Sequence, residues 1–383
     1  MRSVLLASAR AHARRFISTG VAVALGVAFL TGTLVLGDTL RANFDRLFAS
    51  ALGRTDVVVR SATRLDTDVE AAQGLVDAGL MEAIRAVPGV RTIEPSIEGF
   101  GQLTGADGEK LGGQGPPTLA GNWITDAGLN PYELVEGRVP HASEEVVVNR
   151  GAARDGKLAV GDRTTLATPE PVAVTIVGIA TFGGEDGLGP VTFAAFTREG
   201  AERHVIGRRG QATSLLVAAE PGTGAADLRG RIAAVLPAGV EAITGADLAA
   251  EASATIDADF LGFLRTFLLA FAVVALVVAT FSIHNTFAIV LAQRERESAL
   301  LRAVGASRGQ VLATVVTEAV ALAAVASAVG LVGGIGVAGL LKGLFDAFGF
   351  TLPAGGLEIG PMTWVVAPAV GLMVTLLAAA APA

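Results

Sequence analysis

Four stretches of this chain are too long and too poor in charge to be ordinary core segments, and they constrain the rest of its architecture. The first, Phe16–Gly37, has no charged residue and matches the roughly 20 residues a helix needs to cross a bilayer. The others are Phe260–Ala292, Val311–Leu341 and Met362 to the end. The two middle blocks exceed the minimum span, so each is expected to project a helical extension or to tilt. A secretory signal peptide is the rival reading of the first block. That block is long for a signal core, however, and no Ala-x-Ala site follows it, so it reads as an uncleaved helix.

Charge sets the direction of threading. Arg2, Arg10, Arg14 and Arg15 precede the first block, and the link Gln293–Gln310 carries Arg294, Arg296, Arg302 and Arg308. The positive-inside rule puts both segments in the cytoplasm, and the two crossings between them agree with that. Arg41 and Arg46 fall on the external side, but long translocated domains largely escape the rule. The two cytoplasmic segments hold eight of the 29 basic residues but only Glu295 and Glu297 of the 36 acidic ones. The remainder is therefore strongly acidic, a poor surface for nucleic acid.

Asp38–Asp259 reads as a large water-facing domain of α+β type. Short β-branched runs bounded by turn residues predict strands at Asp56–Arg60, Glu144–Asn149, Val172–Ala180 and Ser214–Ala219. Periodicity predicts helices over Val69–Val87 and Ala225–Val235. A weak internal echo joins Ala83–Glu94 to Ile232–Thr244: each runs from a helix end through a Pro turn into a Val-led strand. Between the echoes, residues 130–209 turn β-rich and read as a subdomain inserted into the α+β one. The Gly-rich pieces Gly105–Gly115 and Gly183–Gly189 are loops.

Several chemistries find no support. There is no cysteine, and His12, His141, His204 and His284 are scattered without metal-ligand spacing. Lys110, Lys157 and Lys342 all lack the Gly-x-x-x-x-Gly-Lys-Ser/Thr context of a nucleotide-binding loop. No converging acid, base and nucleophile can be picked out, so no catalytic residue, metal or cofactor is expected. Arg265 and Glu318 are nearly the only charges in the spans, and an intramembrane carboxylate is a functional candidate unless it lies near the interface. The spacings Gly330-x-x-x-Gly334 and Gly339-x-x-x-Gly343 suit close helix packing, at a dimer seam or within one subunit.

The link Gln293–Gln310 reads QRERESALLRAVGASRGQ. Its charges flank an apolar patch, Gly305 ends a helix and Ser307 can cap the next. Physically this is a short amphipathic helix or a basic hairpin on the lipid headgroups. The run from Arg294 to Ala306 resembles the signature of FtsX-like permeases. The stretch Glu136-Gly137-Arg138-Val139-Pro140, then Glu145–Asn149 and Val160-Gly161-Asp162, is similar to the external domain of MacB/LolE-type permeases. In the external domain these residues read as makers of turns and strands.

The resemblance implies an integral membrane protein with four transmembrane helices and a MacB-like α+β domain between the first and second. The expected divisions are a cytoplasmic N-terminus (1–15), helices at 16–37, 260–292, 311–341 and 362–383, the external domain at 38–259, a cytoplasmic coupling segment (293–310) and an external loop (342–361). It further implies that Arg294, Arg296, Glu297, Leu301, Arg302, Gly305 and Ala306 contact a cytoplasmic ATP-binding subunit, and that Glu318 matches an acidic position following the motif. The partners implied are that ATPase, a second permease copy or paralogue, and membrane lipid, in the cell membrane. The chain ends while still apolar, where relatives carry a basic tail, so a trimmed C-terminus is expected. The cargo class is a lipid, lipoprotein, peptide or amphiphilic drug. A division regulator switching a cell-wall hydrolase is the alternative, and a membrane-anchored enzyme is a third reading.

Overall fold

The computed structural model describes residues 13–65, 72–112, 118–187, 191–303, 307–347 and 355–380. The chain divides into two compact units. One is built from the segments up to Ala42 and from Ile256 onward, the other chiefly from Asn43 to Thr255.

The first unit contains long apolar helices. Helix α1 runs over Ala13–Leu52, well past the Gly37 at which the charge-free block ends. Asp38, Arg41, Asp45 and Arg46 do not break it, because nothing from Phe16 to Leu52 is a proline and its glycines are single. Four helical stretches among the described residues are long and apolar enough to cross a membrane: Gly20–Leu52, Gly262–Asn285, Val316–Phe345 and Pro361–Ala378.

The second unit is α+β. Strands β1 (Val57–Ser61), β2 (Val90–Ser96), β11 (Ser214–Ala219) and β12 (Val240–Thr244) form an antiparallel four-stranded sheet in the order β12-β1-β11-β2. Helices α2 (Leu80–Arg85) and α5 (Ala225–Ala233) precede β2 and β12 respectively. The two echoing segments thus supply the two edge strands of one sheet, each led in by its own short helix. All five residues of β1 are buried, because the strand is covered on both faces. Val57 and Val59 join a core with Ile84, Leu228 and Ile232. Val58 faces the other way, against Ile124, Leu129 and Leu216. An alternating side-chain period delivers both contacts from one strand.

Between β2 and β11 lies a second sheet. Its strands are β3 (Glu98–Phe100), β4 (Gln102–Leu103), β5 (Thr118–Asn122), β6 (Tyr132–Gly137), β7 (Glu145–Asn149), β8 (Arg163–Ala167), β9 (Val172–Phe182) and β10 (Thr192–Phe196). The order is β3-β5-β10-β7-β9-β8-β4, with β6 also paired to β9. The inserted sheet therefore begins near Glu98, earlier than the expected 130. Strands β3 to β5 are short and interrupted by glycines, so composition alone does not mark them. Helices α3 (Arg150–Asp155) and α4 (Arg198–His204) complete this layer.

One expectation fails here. The helix predicted over Val69–Val87 is not formed across the described residues: Ala72–Gln73 and Val76–Asp77 are strands, and helix begins only at Leu80. Gly74 and Gly79 weaken a helix, and Val76–Asp77 pairs instead with Gln211–Ala212, far away in sequence.

After β12 the chain is helical to Ala303. Helix α6 (Gly245–Ile256) passes into a π-helical turn, Asp257–Leu261, which passes into α7 (Gly262–Ala303). Helices α8 (Arg308–Ala347) and α9 (Pro361–Ala380) follow.

Candidate functional site

The segment that carries the resemblance to permeases is not a separate short helix. Arg294, Arg296, Glu297, Leu301 and Arg302 all lie on the last turns of α7, a single helix of 42 residues. Gln293–Ala303 is rich in Arg, Glu, Leu and Ala, the best helix formers, and holds no Gly or Pro that would end the span. At 1.5 Å per residue α7 is about 63 Å long, roughly twice the hydrocarbon core of about 30 Å. Gly305 and Ala306 lie outside the described residues. Beyond them Ser307 caps α8: its Oγ accepts from the Gln310 amide at 3.3 Å, and Gln310 Oε1 accepts from the Ser307 amide at 3.0 Å. This reciprocal box fixes where α8 starts.

Glu318 sits half-buried on α8, seven residues into the apolar block that begins at Val311.

The four glycines singled out by spacing separate into two pairs. A Cβ on Gly330 would lie 2.7 Å from both the Ala24 carbonyl oxygen and Val27 Cβ, and one on Gly334 would lie 2.6 Å from the Ala28 carbonyl oxygen. These two let α8 approach the backbone of α1 closely. Nothing stands within 4 Å of a Cβ at Gly339 or Gly343. The same spacing thus marks a helix contact in one case and an open face in the other.

Four polar arrangements were not picked out from sequence. Asp38 on α1 accepts from the Gly360 amide at 3.0 Å and from Thr363 Oγ at 3.3 Å, which ties the start of α9 to α1. Thr39 Oγ accepts from the Glu358 amide at 2.9 Å. Arg41 reaches Asp257, the first residue of the π-helical turn, at 3.6 Å. In the other unit Arg60 on β1, only 4% exposed, donates to Glu251 on α6 at 2.6 and 2.9 Å and to Glu241 on β12 at 2.8 Å. The helix that leads into the π-turn is thereby bonded to the sheet behind it. Each partnership joins residues distant in sequence, so no local pattern announces it.

The motif residues of the external domain shape a turn. Gly137 closes β6 with φ +76°, a conformation that favours glycine. Arg138 then donates to both oxygens of Glu145, at 2.5 and 2.8 Å. His141 and Ala142 add backbone donors to the same carboxylate. Arg138 above all, then these amides, hold the Glu145 carboxyl down at about 2. Among the described residues no group of three or more His, Asp or Glu could hold a metal ion.

Residues 17–235, more than half of the chain, match the family model of the MacB-like periplasmic core domain. Residues 269–383 match that of the FtsX-like permease C-terminal region. The chain belongs to the MacB/FtsX-like permease family. It is accordingly a membrane protein with a large extracytoplasmic α+β domain. Over 246 residues it is 27% identical to an ABC transporter permease protein of Mycobacterium tuberculosis, covering 62% of this chain and 27% of that relative's length. The chain thus spans about a quarter of that relative. Among solved structures it is similar to the periplasmic region of MacB from Actinobacillus actinomycetemcomitans, with TM-score 0.39, 8% identity and coverage of 51% of this chain and 91% of that one. It is also similar to the extracellular domain of the ABC-type transporter YknZ from Gram-positive bacteria, with TM-score 0.35, 12% identity and coverage of 49% and 98%.

Proposed function

We propose that this family member is the permease subunit of an ABC transporter, driven by a separate cytoplasmic ATP-binding subunit. Its N-terminus and the Gln293–Gln310 segment lie in the cytoplasm, and the chain itself performs no catalysis. Arg294, Arg296, Glu297, Leu301, Arg302, Gly305 and Ala306 form the contact with the ATPase. The observation that carries the reading is the unbroken helical run from Gly245 to Ala303. Its far end bears the proposed contact, and its near end is held by Arg60 through Glu251. ATP binding would then bias a two-state movement of the external domain through differential contact with the coupling segment.

The cargo that fits the family is a lipid, lipoprotein, peptide or amphiphilic drug. A second permease, identical or paralogous, completes the assembly, and the open faces at Gly339 and Gly343 are available for helix contacts within it. The test is co-purification in detergent of the full chain with the ATP-binding protein, with and without Arg294–Arg308. Binding that is lost on deletion supports the assignment. Equal recovery of the ATPase with both forms, or with neither, removes it.

A further inference from the structure

We propose that α7 pairs inside the bilayer with α7 of a second, identical copy of this chain, along a stripe that ends at Asn285. The pairing rests on the reading that a second permease completes the assembly, and it makes that permease a copy of this chain with one defined seam. Along α7 the residues Phe267, Phe271, Val274, Val278, Phe281 and Asn285 follow one another at intervals of four, three, four, three and four. That spacing is the seven-residue repeat of a left-handed helix pair. The stripe runs for about 27 Å along the helix axis, close to the roughly 30 Å of the hydrocarbon core.

The stripe is turned away from the core of its own subunit. Its five apolar members are each at least half exposed, and Asn285 is exposed as well. On the other side of α7, Ala272 and Ile283 are buried in one cluster with Val27 of α1 and Ala367 of α9. The subunit therefore covers one face of this helix and leaves the repeat uncovered.

Lipid would satisfy the phenylalanines and valines, and Asn285 is what selects a second helix instead. It lies seven residues before Ala292, where the apolar block ends, so it sits about 10 Å inside that end. Among the described residues its side chain has no hydrogen-bond partner. Hydrocarbon offers nothing to the two donors and the carbonyl oxygen of its amide. A second α7 does. Copies inserted in the same direction pair in parallel, and a two-fold axis between them sets each Asn285 opposite the other. Each amide then donates to the other's carbonyl oxygen. One such residue in an otherwise apolar repeat also fixes register, since any slip of the helices parts the two amides.

The chain contains no cysteine, so single cysteines in the full-length protein report contacts between copies without background. In membranes oxidised with copper phenanthroline, disulfide-linked dimers are expected for Val274→Cys, Val278→Cys and Phe281→Cys. They are not expected for Ala272→Cys, Ala279→Cys or Ile283→Cys, at positions buried within the subunit. Dilution with lipid, followed by the yield of the Val278→Cys link, is expected to show association about three- to tenfold weaker once Asn285→Leu is added, the worth of one interhelical hydrogen bond. Asn285→Gln is expected to restore most of it. Links of equal yield on both faces, or strongest at the buried positions, would overturn the seam. Unchanged association of a folded Asn285→Leu variant would overturn the role of Asn285. None of these readouts involves the ATPase. Links along the stripe in a chain that binds no ATP-binding protein would end the coupling reading and support the seam, whereas binding without such links would end the seam alone.

Discussion

Arg60, on a fully buried strand, donates two hydrogen bonds to the carboxylate of Glu251, 191 residues further along the chain. The first joins β1 and the second α6, so a single ion pair fastens the helix leading out of the external domain to the sheet at its centre. Burial opposes the charge on Arg60, but the bonds to Glu251 outweigh it and raise the pKa.

Removing that cation leaves two glutamates facing each other without it. Arg60→Ala is expected to destabilise the external domain by about 3 kcal/mol, the low end for breaking a buried pair, because both glutamates keep partial contact with water. Glu241→Ala is expected to cost less, since the bidentate bond to Glu251 survives. Denaturant unfolding followed by the emission of Trp123 measures both, and equal effects would contradict this division of labour.

Glu145 makes the domain sensitive to acid. Its carboxyl titrates at about 2 in the fold against 4.5 ordinarily. A depressed value means that the stabilisation is complete above about 4.5 and fades as pH falls toward 2. Glu145→Gln cannot ionise and is expected to flatten that part of the stability profile. Thermal unfolding from pH 6 downward checks it, and an unchanged slope in the variant contradicts it.

The two glycine pairs predict opposite responses. At Gly334 even a methyl group meets the Ala28 carbonyl at 2.6 Å. Gly334→Ala is therefore expected to destabilise the helix bundle by about 1–3 kcal/mol, the usual cost of overpacking. Gly343→Ala, with nothing within 4 Å, is expected to leave the isolated subunit unharmed. Thermal stability in detergent separates them.

Asp38 acts as the cap of α9 from another helix. Asp38→Ala is expected to cost about 1 kcal/mol, as loss of an N-terminal cap does, and Asp38→Asn should recover most of it. Protection of the Gly360 amide, which donates to Asp38, against hydrogen exchange gives the local readout.

Much of this architecture was legible from local pattern. Charge-poor blocks marked the spans, and Ser214–Ala219 was bounded by its own β-branched run. The echo between Ala83–Glu94 and Ile232–Thr244 foretold two matching helix–turn–strand units; that their strands form the two edges of one sheet came from the fold. What escaped depends on distant partners. Val76–Asp77 fell in a stretch of helical periodicity but was drawn into strand by Gln211–Ala212. Gly330 and Gly339 have the same spacing to their mates, and only the path of α1 distinguishes them. Arg60 looks like the end of a strand until Glu251 arrives. The proposed coupling segment was placed by its motif, yet its form, the tail of α7, follows from helix propensity continuing past the membrane edge.

If the end of α7 receives force from an ATPase, residues there control hydrolysis. The most direct measurement is ATP hydrolysis by the reconstituted complex, comparing the native chain with Glu297→Ala and Arg302→Ala. Both variants are expected to insert and keep a folded external domain while hydrolysis falls to the level of the ATP-binding subunit alone. Native rates of hydrolysis and transport in both variants would contradict it.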